Sequence, residues 1–396
     1  MDDARTPRGI AETRTVEFAD RGIEPHDTIV VGGGQAGLTI GRELVRRDRD
    51  VLVLDAHARV GDAWRRRWDS LRLNTPAKYA LPGRRLGSDP FAFVTKDEFA
   101  DYLEEYAEAE GIPVRPRTRV ARLEAGGRRY VVSAEDGRRF TADHVVIATG
   151  PFQVARRPGF AADLADGIVS VHSDDYRGPS QLPPGRVLVV GFGNSASEIA
   201  LELSRTHETW ISGAPSGELP FRHGRTGARF AFPVVRLIMT HVITRGWPVG
   251  RRIISKMEGR AELLIRVRRR DLAAAGVRMV PRTTGVRDGL PVVGDSVAEV
   301  ASVVWCTGYR EDYSWVGLPG FEGGVRPPNV RGVVETAPGV YLIGQHLLHA
   351  ESSGTLPGIA RDARWIARHL VAERVDGARR SASDRATGAA PAAVAG

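Results

Sequence analysis

A short apolar strand, a glycine-rich turn and a helix follow one another twice in this chain, and this repeated unit constrains the fold most. The first copy runs from Thr28 to Gly37 with the sequence TIVVGGGQAG, and the second from Val187 to Ala196 with the sequence VLVVGFGNSA. Continuous β-branched and aliphatic runs are typical of parallel strands buried on both faces. Two such units predict an α/β fold with two Rossmann-like dinucleotide-binding domains.

The first turn carries the residues that a pyrophosphate-binding loop needs. Gly32 permits the tight turn, Gly34 lets the backbone approach a pyrophosphate, and Gly37 lets the helix pack on the strand. The strand at 51–54 is followed by Asp55, whose carboxylate can accept hydrogen bonds from a ribose. Because the chain has 45 Gly among 396 residues, the glycine pattern alone is weak, and the prediction depends on the flanking strand and helix.

The second turn differs from the first in two respects. Ala196 stands in the third glycine position, a replacement that the motif tolerates. The strand after the helix ends at Ser212, and no acidic residue stands there in the ribose-binding position. An acidic residue would repel the 2′-phosphate of NADPH, so its absence predicts NADPH rather than NADH. The predicted nicotinamide-cofactor contacts are Gly191, Gly193, Asn194, Ser195 and Ser212, with Arg222 as a candidate for the 2′-phosphate beside His223 and Arg225. The order of the two turns favours FAD in the first and the nicotinamide cofactor in the second.

Composition excludes several classes of protein. Cys306 is the one cysteine, which excludes an internal disulfide, a CxxC redox pair and a multi-cysteine metal site, and we predict no metal. The net charge is +8, but the arginine runs lack the interleaved aromatic residues of a single-strand binder, and we predict no nucleic-acid partner. No apolar run approaches the roughly 20 residues that span a bilayer. Residues 1–20 contain no apolar signal segment, and we predict a cytoplasmic protein.

Further motifs occur in a fixed order between and after the two turns. They are Gly61 to Trp64, Leu71 to Pro76, Ala148 to Gly150, His172 to Tyr176, Gly191 to Glu198, Cys306 to Tyr309, Gly339 to Gly344 and Leu356 to Ala363. This series, over about residues 27–372, resembles the class B flavin-dependent monooxygenases, which include the plant YUCCA-type enzymes. The chain departs from their fingerprint because Gly167 lies five residues before His172 rather than four. Tyr176 also replaces the Trp-Pro or Trp-Asp of Baeyer–Villiger enzymes.

The resemblance implies an NAD(P)H-dependent flavin oxidoreductase whose cofactors are FAD and NADPH. In such an enzyme NADPH reduces FAD, and O2 then forms a C4a-hydroperoxyflavin that oxygenates a small organic substrate. N- or S-oxygenation and oxidative decarboxylation of a 2-oxo acid are both expected possibilities. The alternatives are a Baeyer–Villiger monooxygenase, and an NAD(P)H oxidase or flavoprotein reductase that releases peroxide. A flavin-binding sensor is the non-enzymatic alternative.

The resemblance also implies roles for individual residues. Asn74 would contact the flavin and nicotinamide region, while His172 and Tyr176 would couple nicotinamide docking to the flavin from the linker between domains. The further cofactor-binding residues are Trp64, Thr149, Gly150, Thr307, Gly308, Gly344 and Gly358. The structural alternatives are a turn-forming Asn74, a His172 that binds only linker backbone, and a Trp64 that packs a helix.

The motifs predict a nicotinamide domain inserted into the FAD domain. The predicted segments are a disordered 1–24, an FAD-binding 25–155, an NAD(P)H-binding 156–300 with a helical insert at 221–275, a second FAD-binding part at 301–376, and a disordered tail at 377–396. We expect the insert to form a lid over the active site. The alternative is a basic amphipathic helix, with peripheral membrane or partner contact through 229–246. The oligomeric state is not predicted.

Overall fold

The computed structural model describes residues 22–214, 217–257 and 263–387, with side chains described as far as residue 372. Within these residues the helices are α1 (Gln35–Val45), α2 (Asp62–Arg65), α3 (Lys96–Ala109), α4 (Asn194–Leu203), α5 (Arg225–Leu237), α6 (Pro248–Met257), α7 (Arg269–Ala274) and α8 (Leu356–Thr387). The strands are β1 (Ile23–Val31), β2 (Val51–Leu54), β3 (Val114–Arg115), β4 (Val120–Gly126), β5 (Arg129–Ala134), β6 (Arg139–Ile147), β7 (Val154–Ala155), β8 (Val169–His172), β9 (Val187–Val190), β10 (Thr209–Ser212), β11 (Arg278–Val280), β12 (Thr283–Arg287), β13 (Leu290–Val293), β14 (Ser296–Val297), β15 (Ser302–Trp305), β16 (Tyr309–Arg310), β17 (Val316–Gly317) and β18 (Val340–Leu342).

The first sheet is built around parallel strands that hold the first glycine turn. β1 pairs in parallel with β2 on one side and with β6 on the other, and β3 continues the sheet beyond β2. β18 returns from the end of the chain to pair with β6, so that Tyr341 lies opposite Val146. Helices α1, α3 and α8 cover one face, where Leu38, Phe99 and Ile366 are fully buried in a single core. An antiparallel meander of β4, β5 and β6 extends the sheet.

The second sheet is entirely parallel and holds the second glycine turn. Its strand order is β11, β10, β9, β15 and β8. The strands are short apolar runs, and β9 and β15 are buried along their whole length, as expected for central parallel strands. Helix α4 packs Ile199 and Leu203 against this sheet, and both side chains are fully buried.

The chain crosses from the first sheet to the second and later crosses back, and the two crossings lie side by side. β7 leads away from the first sheet, β16 leads back to it, and the two pair antiparallel with Tyr309 opposite Ala155. The predicted boundary at 300/301 is wrong, because β15 pairs with β8 and β9 in the second sheet. An apolar run such as Val303–Trp305 predicts a buried strand but does not indicate which of two parallel sheets it joins.

The ends of the chain also depart from the predicted boundaries. β1 begins at Ile23, within the segment predicted to be disordered, and residues 1–21 of that segment lie outside the described residues. Helix α8 continues to Thr387, well beyond the predicted start of the tail at 377, while residues 388–396 are outside the description. The continuation follows from the many Ala and Arg residues there, which favour helix strongly.

The insert predicted at 221–275 contains α5, a π-helical turn at Ile238–Val242, α6 and α7. It is bound to the half of the fold that contains the first sheet by backbone contacts near its middle. The Arg245 amide donates to the His349 carbonyl at 2.7 Å, and Thr244 forms a β-bridge with Ala350. Arg361 of α8 donates to the Thr240 carbonyl. The insert therefore links the two halves of the fold. No described helix is long and apolar enough to span a bilayer.

Candidate active site

The first glycine turn leaves open space in front of helix α1. Gly32 donates its amide to the Leu54 carbonyl at 2.8 Å and has a φ of +111°. A Cβ at Gly32 would lie 2.7 Å from the Ala148 carbonyl oxygen, so the turn requires glycine there. At Gly34, which caps α1, an added Cβ would meet no described atom within 4 Å. The helix N-terminus therefore faces a cradle that suits a pyrophosphate.

Asp55 supports this turn from the end of β2. Its Oδ2 accepts from the Gly33 amide at 2.7 Å, and its Oδ1 accepts from the His57 amide at 2.7 Å and contacts His57 Nδ1 at 2.9 Å. Burial opposes ionisation, but the hydrogen bonds from His57 and Gly33 lower the pKa of Asp55 below its usual value. A carboxylate has about four lone-pair directions, so the ionised group keeps capacity for one ribose hydroxyl.

The second glycine turn repeats the geometry of the first. Gly191 has a φ of +120°, and a Cβ there would lie 2.3 Å from the Cys306 carbonyl oxygen. Gly193 caps α4, and its Cβ direction is open, as at Gly34. The side-chain amide of Asn194 binds the insert. Its Nδ2 donates to Leu263 O at 3.1 Å, and its Oδ1 accepts from the Ile265 backbone amide at 2.8 Å. Ser195 follows in the first turn of α4, where its backbone amide is one of the unpaired donors of the helix end.

Ser212 and Arg222 lie in different surroundings although both were predicted to bind NADPH. Ser212 is buried, and its hydroxyl donates to Pro281 O at 2.9 Å and contacts Thr283 Oγ1 at 2.7 Å. The side chain therefore joins β10 to Pro281 and to Thr283, the first residue of β12, and its predicted contact with the cofactor stays a prediction. Arg222 is exposed in the segment after β10. Its predicted role remains a proposal.

The predicted residues at the two crossings shape the backbone there. Thr149 Oγ1 accepts a hydrogen bond from Gln153 Nε2 at 3.0 Å, and Gly150 has a φ of +70°. On the return, the Thr307 hydroxyl donates to the Arg156 carbonyl and Gly308 has a φ of +81°. Both glycines have open Cβ directions, so no neighbouring side chain covers the backbone at either crossing.

His172 is fully buried where β8 ends. Its Nδ1 accepts from the Asp174 amide at 3.1 Å, which places the ring proton on Nε2. Burial lowers its pKa, so the imidazole is neutral at pH 7. The ring packs edge-on against Tyr309 with centroids 5.3 Å apart. These contacts match the structural alternative, in which His172 binds linker backbone.

Tyr176 is not placed to touch a substrate. The side chain is fully buried in the same core as Trp68 and Ile199, and its hydroxyl donates to Glu202 Oε2 at 2.9 Å. Burial raises its pKa well above the usual range. Tyr176 therefore acts on the site through Glu202 rather than by contact with a substrate, and its predicted coupling role from the linker stays a prediction.

Asn74 has a polar atom that no described residue satisfies. Its Oδ1 is buried and lacks a hydrogen-bond partner among the described residues. Its backbone carbonyl accepts from His223 Nε2 at 3.1 Å, and burial lowers the pKa of His223, which keeps that imidazole neutral. The His223 ring contacts Phe93 with centroids 3.8 Å apart. The insert thus closes over the Asn74 loop and leaves the side-chain oxygen for another group.

Gln345 is a second unsatisfied polar residue, and sequence analysis missed it. It is fully buried, and both its amide oxygen and nitrogen lack partners among the described residues. It follows Gly344, where a Cβ would lie 2.6 Å from Ala36 Cβ, so it sits beside the start of α1. The available signal was a polar residue directly after the glycine that follows the closing apolar run at 340–343. Gly358, in the first turn of α8, lies where a Cβ would be 2.1 Å from Ser352 O.

Trp64 is half-buried beside the first turn. Its Nε1 donates to Gln35 Oε1 at 3.2 Å, and its ring packs edge-on against Phe99 at 4.9 Å between centroids. The contact with Gln35, the first residue of α1, ties α2 to the cradle. These contacts fit the packing alternative, and the predicted contact with the cofactor stays a prediction.

The segment that ends at Asn74 is held by the other half of the fold. The amide of Ser70 donates to Glu202 Oε1 at 3.1 Å, and Ser70 O accepts from Arg266 at 3.4 Å. Arg266 also binds Glu198 at 2.6 Å, and burial raises the pKa of Glu198 to about 7 against the opposing effect of that arginine. Helix α4, which begins at the second glycine turn, therefore positions the Asn74 loop.

Comparisons with known proteins agree with this arrangement. A family model described as pyridine nucleotide-disulphide oxidoreductase matches residues 29–210. An uncharacterized CzcO-like oxidoreductase from Geobacillus kaustophilus is 34% identical over 87% of this chain and 98% of its own length. Indole-3-pyruvate monooxygenase YUCCA1 from Oryza sativa is 31% identical over 45% of each chain. The structure of a flavin-containing monooxygenase from Stenotrophomonas maltophilia matches with a TM-score of 0.70 and 28% identity, covering 89% of this chain and 99% of that one.

The chain belongs to the class B flavin-dependent monooxygenases. Membership confirms the predicted two-domain α/β fold and the NAD(P)H-dependent flavin oxidoreductase class. It also confirms the predicted cofactor pair, FAD and NADPH. This monooxygenase fits both groups, because Gly34 and Gly193 each leave an open cradle before a helix. The unsatisfied amide of Gln345 beside the first cradle is a further group that FAD can bind.

Proposed function

We propose that this monooxygenase uses NADPH and O2 to transfer one oxygen atom to a small organic substrate. Oxidative decarboxylation of a 2-oxo acid and N- or S-oxygenation are the reactions to test. Indole-3-pyruvate, the substrate named for the rice relative, is a 2-oxo acid, which supports the first of these. The rice relative matches only 45% of this chain, so amines and thioethers belong in the same test.

The unsatisfied side-chain oxygen of Asn74 carries the proposal. A buried polar group without a partner costs about 1–3 kcal/mol, so its retention points to a bound group that satisfies it. The loop carrying Asn74 is held by Glu202 from the nicotinamide half and covered by His223 of the insert. An amide in this position can hydrogen-bond a nicotinamide or flavin edge when the cofactors are bound.

The state of the one cysteine argues against disulfide chemistry at this site. Burial of the sulfur raises the pKa of Cys306 to about 12, so the thiolate is absent at neutral pH. The sequence contains no second cysteine with which it could form a redox pair. Electrons that reach the flavin therefore have no disulfide within this sequence to reduce.

The protein's own part in the reaction is binding, orientation and exclusion of water. Bound FAD supplies the hydride acceptance and oxygen activation. Gly34 and Gly193 would admit the two pyrophosphates to helix N-termini, and Asp55 would accept from the FAD ribose. Neutral His223 donates to the Asn74 carbonyl and so fixes the loop orientation. The aromatic side chains of Phe93 and Phe232 pack around His223 and limit access of water to the loop.

The experiment measures the peroxide released per NADPH consumed and the oxygen from O2 that the product contains. The purified protein with bound flavin is supplied with NADPH, 18O2 and, in turn, a 2-oxo acid, a tertiary amine and a thioether. A substrate that lowers the peroxide released per NADPH, and whose product carries one 18O atom, supports the proposal. Peroxide equal to NADPH consumed with every class of substrate would instead support the peroxide-releasing oxidase. No oxidation of NADPH at all would favour a flavin-binding sensor.

A further inference from the structure

Helix α5 of the insert presents an apolar stripe to solvent. The stripe consists of Phe230, Val234 and Leu237 and continues into Ile238, the first residue of the π-helical turn. Phe230 and Val234 are 65% and 57% exposed. Their spacing of four, seven and eight residues places all four on one helix face. Four large apolar side chains in a row on a solvent-facing helix favour contact with another apolar phase.

The remaining sides of α5 are already used within the protein. Phe232 packs against Phe221 and His223, with ring centroids 5.7 and 5.8 Å away. Arg236 lies over the Tyr79 ring at 5.5 Å, and Arg225 pairs with Asp89. These contacts fix the rotation of α5, so the apolar stripe faces away from the active site. The lid role accounts for the inner faces of the helix and leaves the stripe unexplained.

The charged residues of α5, α6 and the chain around them are all cationic. Residues 219–257 contain no Asp or Glu. They contain the cations Arg222, Arg225, Arg229, Arg236, Arg245, Arg251, Arg252 and Lys256. Arg229, Arg251, Arg252 and Lys256 are exposed, and so are the apolar side chains of Trp247 and Val249. A segment with exposed apolar and aromatic side chains and only cationic charge is complementary to an anionic, partly apolar surface.

We propose that residues 225–257 dock this protein on an anionic lipid bilayer, with the α5 stripe entering the headgroup region. Exposed cations of α6 would then contact the lipid phosphates, and each Lys or Arg near such a surface strengthens binding by about fivefold. A second copy of the chain is a poorer occupant. A symmetric contact would set the same patch against itself and bring cations of one sign together without any acidic partner in the segment.

Sedimentation with vesicles tests the docking. The full-length protein with its flavin is mixed with vesicles of phosphatidylcholine alone, or with vesicles that also contain one third phosphatidylglycerol. We expect sedimentation with the anionic vesicles at low salt, and binding at least about tenfold weaker without phosphatidylglycerol or in high salt. Bound flavin absorbance and NADPH oxidation, measured on every variant, report that the fold is intact.

Two pairs of variants separate the apolar and the charged contributions. Val234→Ser is compared with Val330→Ser, because Val330 is equally exposed at 58% but lies outside the insert. Combining Val234→Ser with Phe230→Ser should weaken vesicle binding by about tenfold or more, while Val330→Ser leaves it unchanged. Arg251→Gln with Arg252→Gln should weaken binding by about twentyfold. Removing two exposed arginines outside the insert, Arg282 just before β12 and Arg287 at its end, should have little effect.

Three results would overturn the proposal. The first is no sedimentation with anionic vesicles at low salt. The second is vesicle binding that Val234→Ser and Val330→Ser reduce equally. The third is a wild-type dimer that the Phe230→Ser variant converts to monomer while neither binds vesicles, because the stripe would then be an interface between two copies.

Discussion

Glu202 accepts a hydrogen bond from the hydroxyl of Tyr176 at 2.9 Å while its other carboxylate oxygen accepts from the Ser70 amide at 3.1 Å. Tyr176 and Glu202 belong to the nicotinamide half, and Ser70 belongs to the FAD-binding half, four residues before Asn74. A buried tyrosine therefore fixes the carboxylate that positions the Asn74 loop across the domain boundary.

Tyr176→Phe should reduce stability more than activity. Removing the hydroxyl leaves one buried oxygen of Glu202 without its donor, which costs about 1–3 kcal/mol. Because Tyr176 is fully buried and does not line the space for either cofactor, the rate of flavin reduction by NADPH should fall by less than about threefold. Urea unfolding and rapid-mixing kinetics on the same samples measure both quantities. A loss of flavin reduction by about a thousandfold with stability intact would restore the catalytic assignment.

Gly34→Val should abolish FAD retention and leave the protein folded. A Cβ at Gly34 meets no described atom, so the side chain fits the protein but occupies the space where the pyrophosphate approaches. The ratio of flavin to protein absorbance after purification measures the loss, and far-ultraviolet circular dichroism checks the fold. Gly167→Val, at another open position outside both turns, is the matched control and should stay yellow. A yellow Gly34→Val protein would show that FAD does not bind at this turn.

Gly193→Val should spare FAD and raise the KM for NADPH. Its Cβ direction is open in the same way, but it lies at the start of α4 in the other half of the fold. We expect an increase in KM of at least about tenfold, measured by steady-state NADPH oxidation on protein with a full complement of flavin. Loss of FAD with an unchanged KM would mean that the two turns bind the cofactors in the opposite order.

Asn74→Ala should increase the share of NADPH consumption that ends as peroxide. The substitution removes the buried amide that we propose contacts the cofactors, without altering the backbone carbonyl that His223 binds. Peroxide released per NADPH is measured in the presence of a good substrate. Lys78→Ala, an exposed change shortly after the same loop, controls for disturbance of the region. Unchanged coupling in Asn74→Ala would leave Asn74 as a turn-forming residue.

His349 should make the protein less stable in acid. Burial, with Arg331 and Arg361 acting in the same direction, lowers its pKa to about 4. The unfolded chain, with a histidine pKa near 6.5, therefore binds the proton more readily between about pH 6.5 and 4. Stability is full above that range and falls as the pH decreases through it. His349→Gln should show a smaller decrease in Tm between pH 7 and pH 5 than the wild type. Parallel curves would contradict this assignment.

Local sequence was enough to predict the elements that hold the two cofactors. The strand, turn and helix at Gly32 and at Gly191 lie where the pattern indicates, because the tight turn and the close carbonyl oxygens admit only glycine. The order of motifs was enough to predict the family. Asp55 also lies at the first turn as expected, since the carboxyl end of β2 adjoins that of β1.

Contacts between distant parts of the chain could not be predicted from the sequence. Nothing in the sequence around Tyr176 or Ser212 shows that the hydroxyl of each is used in the interior, because burial depends on residues far along the chain. The contact of His223 with Asn74 joins positions 149 residues apart. The sheet joined by β15 was misassigned for the same reason, since an apolar run is compatible with either sheet.

The antiparallel pairing of β7 with β16 has a consequence for how such enzymes can be assembled. Because Ala155 lies opposite Tyr309, the chain leaves the FAD-binding half and re-enters it at neighbouring points. A tight turn could connect these points, and an entire intervening unit could be removed or exchanged without breaking a strand of the first sheet. Because Glu202 and His223 of this unit hold the Asn74 loop of the other half, an exchanged unit would have to supply the same two contacts.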